Sequence, residues 1–288
     1  MPQLEGAQVG AADARLARAF ATRWNDVPAG SVYTRAQFED WLEPITAGDV
    51  EGRDVLELGC GNGSLLLHMS AWRPRRLVGV ALSDSVVSAR DNLKRTRHPN
   101  GEVVQHDLVS YRSKRFDLVY CIGILHHLKD PEAGLDAVLA NVRPGGRFHC
   151  WVYGEEGNAV VRAIVGPIRP IASRLPWWLT KYGLATPLAA TYFVYAKTLR
   201  ALSRRLGAWG ARALRRMPLY AYSLWIAERE FAFFRHVAFS QLVTPQTRFV
   251  ARHELRAWLA VRKRIDPNSV YVIARNGNSW KFGGRVVG

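Results

Sequence analysis

Residues 54–68 read DVLELGCGNGSLLLH, and this stretch limits what the chain can become more than any other. Val55, Leu56 and Leu58 predict a short buried strand, Gly59, Gly61 and Gly63 a loop without side-chain bulk, and residues 64–68 a helix. A strand that runs through a glycine loop into a helix makes a cofactor site. Glycine allows a tight turn and close backbone approach, and the helix start offers unpaired N–H groups. Glu57 at the strand end brings a negative charge. It would repel a pyrophosphate and suits a ligand that carries a cationic amino group.

Strand and helix alternate from there. Strands are predicted over residues 77–82, 103–106, 116–122 and 147–152. Helices fall over 83–95 and 131–142, the latter capped near Asp130, and 143–146 (Arg-Pro-Gly-Gly) reads as a turn. This alternation predicts a parallel sheet with right-handed crossovers and a ligand site at the carboxyl ends of its strands. Residues 252–259 read as a helix, and 269–275 and 279–287 flank Asn276-Gly277 as a hairpin that closes one sheet edge. Ahead of the first strand, Leu16, Ala19, Phe20 and Trp24 have helical spacing within 11–24, followed by a loop over 25–33. Thr34 then reads as the N-cap of a helix with Phe38, Trp41 and Leu42 on one face. This segment either lids the cofactor or packs on the sheet. The expected units are an N-terminal helical lid (1–50), a core (51–156), an insertion (157–245) and the C-terminal part of the core (246–288).

The net charge is +16, and residues 157–227 hold eleven Lys or Arg with no Asp or Glu. The same stretch carries Trp177, Trp178, Trp209 and Trp225. The uncharged run 184–196 is too short to span a bilayer, which takes about 20 residues. Residues 197–216 interleave leucines and arginines as a basic amphipathic helix. Three readings stand: a solvated basic cap, a surface lying in an anionic membrane interface, and, less well supported, a nucleic-acid surface. Cys60, Cys121 and Cys150 lack paired spacing, so neither a metal site nor a disulfide framework is implied. No leader pattern opens the sequence. The expected location is cytoplasmic, peripheral to the inner membrane surface under the second reading.

Glu57-Leu-Gly-Cys-Gly-Asn-Gly63 resembles the first motif of class I S-adenosylmethionine-dependent methyltransferases, and three later blocks fall in that family's order. These are His106-Asp107-Leu108, residues 116–128 (FDLVYCIGILHHL) and the turn over 143–146. The second of them is similar to the small-molecule branch that includes quinone-biosynthesis enzymes. The resemblance implies an α/β, Rossmann-like fold with a mostly parallel seven-stranded sheet, a C-terminal antiparallel hairpin and a helical insertion after strand five. It implies S-adenosylmethionine as cofactor and a small-molecule or lipid-linked acceptor. The loop Gly59, Cys60, Gly61, Asn62 and Gly63 would carry the methionine part, with Glu57 at its ammonium end. Asp107 would accept from the adenine amino group beside Leu108, and Cys121, Ile122 and Gly123 would line the floor under the methyl group. Strand two ends on Ala81-Leu82, where the family carries an acid for the ribose; Asp84, a water or a main-chain group would have to serve instead.

His126 and His127 follow strand four, where the fold faces the cleft. His126 is the expected base or orienting group, and His127 the one expected to pack or cap the loop. Tyr33 is a further catalytic candidate, and Tyr153 and His236 are candidates for the substrate wall. An RNA methyltransferase, or a non-catalytic membrane- or nucleic-acid-binding protein on this scaffold, remains an alternative.

Overall fold

The computed structural model describes Ala19 and residues 30–288 apart from 97 and 114. The helix predicted over 11–24 otherwise lies outside the described residues. The core elements are α1 (Arg35–Leu42), α2 (Ala47–Val50), β1 (Asp54–Leu58), α3 (Ser64–Ser70), β2 (Arg76–Ala81), α4 (Ser85–Arg95), β3 (Gly101–Gln105), β4 (Phe116–Ile122), α5 (Pro131–Asn141) and β5 (Val142–Tyr153). The insertion holds α6 (Ala159–Ala172), a π-helical segment (Leu179–Ala185), α7 (Thr186–Arg205), α8 (Gly207–Leu214), α9 (Tyr220–Ile226) and α10 (Phe231–Val243). Helix α11 (Arg252–Ala260) and strands β6 (Tyr271–Arg275) and β7 (Ser279–Arg285) end the chain.

The seven strands form one sheet in the order β3-β2-β1-β4-β5-β7-β6. It is parallel from β3 through β5, and β7 runs antiparallel between β5 and β6. The alternation and the Asn-Gly hairpin thus produce the expected architecture. Three details differ. The turn predicted over 143–146 lies inside β5. Val142 already pairs with Phe116, and the ladder resumes at Leu118 and Arg147 after a register shift. Helix α4 begins two residues later than predicted, at Ser85, whose hydroxyl bonds that of Ser83 across the Asp84 cap position. The basic helix predicted over 197–216 breaks at Leu206 ahead of Gly207, and its apolar face begins earlier, at Ala189 and Ala196. Among the described residues no helix is long and apolar enough to cross a membrane.

Thr34 caps α1 by accepting from the Gln37 N–H at 3.3 Å. Phe38, Trp41 and Leu42 are buried as their spacing predicts. The Phe38 ring meets Trp72 at 4.7 Å and His68 at 5.5 Å between centroids. At the other end of α1, Lys281 Nζ donates to the Asp40 carbonyl at 2.8 Å, and His149 Nε2 lies 2.7 Å from the Trp41 carbonyl. Because a carbonyl only accepts, His149 carries its proton on Nε2 and takes the Tyr271 hydroxyl on Nδ1 at 2.8 Å. Burial lowers the His149 imidazole to about 4. The helical cap is tied down by Arg169 of α6, which is buried and donates to the Gln241 carbonyl and side-chain oxygen of α10, both at 2.9 Å.

Glu57 at the end of β1 is also buried and accepts from the Tyr120 hydroxyl at 2.9 Å. Burial raises its carboxyl to about 8 against that hydrogen bond.

Two predictions follow from this packing. Phe38→Ala removes a ring at 0% exposure and should cost about 3–5 kcal/mol, lowering the thermal midpoint by roughly 10 °C; an unchanged midpoint would show that α1 does not hold to the sheet through this ring. The second concerns pH. Between the unfolded value of 4.5 and about 8, folded Glu57 holds a proton that the unfolded chain has lost, so stability falls as pH rises through that window. His149 acts oppositely: titrating at about 4 when folded and 6.5 when unfolded, it makes stability fall as pH drops from 6.5 toward 4. The slopes, each about 1.4 kcal/mol per pH unit, oppose one another at mildly acid pH and leave Glu57 alone above 6.5. Urea unfolding of the ligand-free protein should show stability declining from pH 6.5 to 8. Glu57→Gln should abolish that decline and uncover the acid-side loss from His149.

Candidate functional site

The sheet reverses its chain order between β1 and β4, and this is where an open α/β sheet leaves a crevice at its carboxyl edge. The loop after β1 forms one wall. Gly59 has φ +86°, and a Cβ built on it would lie 2.4 Å from Ile124 Cγ1. Gly63 also has positive φ and passes 3.1 Å, measured from such a Cβ, from the α4 backbone at Ala89. Neither position accepts a larger residue without moving its neighbours.

The crevice has two compartments that share Gly59 and Ile124 in their walls. One, of about 250 Å³, is lined by Gly59, Gly61, Ala81, Leu82, Asp107 and Leu108 and by the Ser83–Ser85 pair, with Lys129 and Asp130 also in its wall. The other is an aromatic chamber of about 90 Å³, lined from four parts of the chain. Tyr33, Gln37 and Trp41 come from the N-terminal segment; Glu57, Cys60, Ile122, Gly123, His127, Trp151 and Tyr153 from the core; Tyr222, Trp225, Phe233 and His236 from the cap; and Arg275 from the hairpin.

In the first compartment Asp107 is fixed by accepting from the Val109 N–H at 3.1 Å, the Ser110 N–H at 3.3 Å and the Ser110 hydroxyl at 3.0 Å. Asp84 is exposed and contributes nothing to this wall. In its place stand Ser83 and Ser85, both buried, with hydroxyls 2.8 Å apart. Sequence reasoning looked for a carboxylate here and passed over two serines. Their one signal was their position flanking Asp84, directly after the strand.

Several expected site residues are elsewhere. Asn62 lies in neither wall: its side-chain oxygen accepts from the Ser64 N–H and hydroxyl at 3.2 and 2.7 Å, which shapes the start of α3. Gly63 turns the backbone behind the wall. Cys121 was expected in the floor but points to the opposite face of β4 into the core, because side chains alternate along a strand; Ile122 and Gly123 face the chamber. The two histidines exchange their expected places. His126 is buried outside the wall, its ring 4.2 Å from that of His127 and 4.4 Å from that of Tyr153. His127 lines the chamber, and its Nδ1 lies 3.0 Å from the Gln246 carbonyl and 3.1 Å from the Thr247 hydroxyl. The carbonyl fixes the proton on Nδ1, which makes Nε2 the basic nitrogen. Tyr33, Tyr153 and His236 do share the chamber. Gln37, Trp41, Trp151 and Arg275 were not foreseen there. The indole of Trp41 lies on an apolar helix face that sequence alone reads as core.

Glu57 tests what the crevice is shaped for. It is a buried carboxylate in the chamber wall, and no cationic side chain pairs with it among the described residues. A ligand ammonium would supply the missing charge, and the glycine loop beside it leaves room for that ligand's backbone-like end. The residues present therefore fit the methionine part of S-adenosylmethionine, with the Ser83–Ser85 and Asp107–Leu108 walls left for its nucleoside.

Residues 31–208 match the family model described as a methyltransferase domain. The ubiquinone biosynthesis O-methyltransferase of Leptothrix cholodnii is 28% identical over 131 residues, 44% of this chain and 55% of that protein. A tRNA U34 carboxymethyltransferase from Nautilia profundicola is 30% identical over 102 residues, 34% of this chain and 33% of that protein. The chain thus spans about half or less of the length of these curated relatives. An O-methyltransferase family protein from Burkholderia thailandensis superposes with a TM-score of 0.54 at 11% identity, over 97% of this chain and 61% of that one. The magnesium protoporphyrin IX methyltransferase of Synechocystis, solved with SAH bound, gives 0.50 at 13% identity, over 99% and 90%. These two likenesses show the fold. With its motifs in order, its crevice at the β1–β4 switch and a family model that matches more than half of its length, the chain belongs to the class I S-adenosylmethionine-dependent methyltransferase family.

Proposed function

We propose that this protein transfers a methyl group from S-adenosylmethionine to a small-molecule or lipid-linked acceptor held in the aromatic chamber. The observation that carries this reading is that the two compartments meet at Gly59 and Ile124, so that a nucleoside on one side and an acceptor on the other converge on one place. S-adenosylmethionine supplies a methyl group already activated on sulfur, and what remains for the protein is to align, desolvate and, for some acceptors, deprotonate. Glu57 and the Gly59–Gly61 backbone hold the methionine end. Asp107, Leu108 and the Ser83 and Ser85 hydroxyls hold the nucleoside. The chamber walls, Tyr33, Tyr153 and His236 among them, orient the acceptor and keep water out. The basic Nε2 of His127 suits removal of a proton from a hydroxyl or amine acceptor.

A third cavity, of about 140 Å³, favours the lipid-linked form of acceptor. Its lining is mainly apolar, from Val161, Val165, Leu188 and Ala189 of the cap, and it shares Tyr153, Tyr222 and Val237 with the chamber. Val160 and Ile164 of the same cavity are exposed, as are Ile171, Trp177, Trp178 and Tyr182 further along the cap. Lys181 lies over the Trp177 and Tyr182 rings at 5.8 and 5.3 Å. Aromatic and aliphatic side chains among cations favour peripheral contact with an anionic membrane, cytoplasmic in location, over nucleic acid.

Calorimetry should detect binding of S-adenosylmethionine and its loss in Gly61→Arg. Ser83→Ala combined with Ser85→Ala should weaken it roughly tenfold if the hydroxyl pair serves the ribose. No binding at millimolar cofactor would end this reading. For the surface, sedimentation with phosphatidylglycerol vesicles should show binding that weakens with salt and drops on Trp177→Ala with Trp178→Ala, without equal binding to single-stranded RNA. Preference for RNA would favour the nucleic-acid alternative.

A further inference from the structure

On three side chains that line the aromatic chamber, polar atoms have no hydrogen-bond partner among the described residues: Oε1 and Nε2 of Gln37, Nε1 of Trp41 and Nε1 of Trp151. Their side chains are 2%, 7% and 7% exposed. Folded proteins leave few buried polar atoms unpaired, and each such atom costs stability. Here they are concentrated in one place. The Trp41 and Trp151 rings are 5.8 Å apart, and the Arg275 guanidinium sits 5.4 Å over Trp41 and 4.8 Å over Trp225. Trp41 is held in place because Lys281 and His149 fix the last turn of α1 against the sheet, and Trp151 because it pairs within β5 with Ile122 and Lys281. Leucine or phenylalanine would fill these positions at no polar cost, so the groups themselves call for a ligand that answers them.

The chemistry they demand is narrow. An indole nitrogen only donates, and a primary amide offers two donors and one acceptor. The unpaired set is therefore rich in donors, and beside it lies the buried Arg275 guanidinium, whose Nε donates to the partly exposed Asp40 carboxylate at 2.5 Å, its one carboxylate partner among the described residues. A carboxylate has two oxygens and about four acceptor sites, enough for both indoles and the amide, and it gains from the guanidinium field. We infer that Gln37, Trp41 and Trp151, with Arg275 behind them, form a recognition site for a carboxylate on the acceptor. This rests on the proposed methyltransferase reading and names a feature of its substrate. S-adenosylmethionine also carries a carboxylate, and Glu57, Gly59 and Cys60 line the same chamber; what favours the acceptor is that the set continues through Arg275, 4.8 Å over Trp225, to the wall that the cap supplies.

The test uses the full chain saturated with S-adenosylhomocysteine, titrated by calorimetry with 4-butylbenzoate and with its methyl ester. The acid should bind at least about tenfold more tightly than the ester, as charge-assisted hydrogen bonds of this kind imply. Gln37→Met and Trp151→Phe should each erase most of that preference while leaving affinity for the ester and for S-adenosylhomocysteine unchanged. Gln37→Met should also leave the thermal midpoint of the ligand-free protein no lower than before, since it removes unpaired polar atoms, so misfolding cannot imitate the result. Equal binding of acid and ester, binding of neither, or variants that weaken S-adenosylhomocysteine while sparing the acid preference would overturn the inference; the last would assign the set to the cofactor's own carboxylate. If the wild-type protein fails to bind S-adenosylhomocysteine at all, the methyltransferase reading falls with it.

Discussion

The last turn of α1 is where the remote parts of this chain are joined. A helix ends with carbonyls that have no partner of their own. In this protein a lysine from β7 takes one and a histidine from β5 takes another, at 2.8 and 2.7 Å. Both donors are buried, and a buried group that leaves its partner is left with the full cost of desolvation. The helix is thereby held to the edge of the sheet at one angle. That angle decides which of its side chains face inward. Phe38 goes under the helix into the core, and Gln37 and Trp41 come to the chamber wall. Arg275 strengthens the same junction from β6 through Asp40. A segment that precedes the first strand therefore becomes part of the site because of residues more than a hundred positions later.

Glu57 sets the other constraint. Holding its carboxylate charged at neutral pH without a counter-ion costs on the order of 5 kcal/mol, judged from a carboxyl raised from 4.5 to about 8. Tyr120 offsets part of the burial with one hydrogen bond and no charge. A protein that only needed to fill this position would use an apolar residue. The lone buried carboxyl makes sense as half of an ion pair whose other half arrives with a ligand; until then it keeps its proton, up to about 8, and has that proton to lose. Cofactor binding and proton release are then linked.

Much of this was legible in the sequence, for reasons that can be named. The parallel core follows from short apolar runs bounded by glycine, and the hairpin from Asn276-Gly277 between β-prone segments. Local pattern determines such elements, and neighbours in sequence are neighbours in space. The compartment of about 250 Å³ is lined largely by residues directly after β1, β2 and β3, which is why reading the strand ends names much of its wall. What stayed hidden depends on side-chain direction and on long-range contact. Cys121 and Ile122 are adjacent in sequence yet face opposite sides of β4. His126 and His127 exchange their expected places for a similar reason, since the short turn Leu125–His127 rotates one ring behind the wall. No periodicity distinguishes a tryptophan that fills a core from one whose indole N–H lines a chamber, and only the docking of α1 separates the two.

The cap completes the division of labour. Its surface carries the excess positive charge, yet among the described residues the chamber it closes is lined by one Lys or Arg, Arg275, which comes from the hairpin rather than from the basic insertion. Charge and apolar surface are thus sorted: arginines such as Arg174, Arg204, Arg215 and Arg216 are exposed, while Tyr222, Trp225 and Phe233 line the chamber. Net charge on such an insertion governs what surface the protein approaches. Selectivity inside the chamber must come instead from the few polar groups among aromatic walls, where the low dielectric makes each satisfied hydrogen bond strong and each unsatisfied one costly. Sequence composition informs the first property and says nothing of the second, which is why the basic character of this chain points to where it works more readily than to what it methylates.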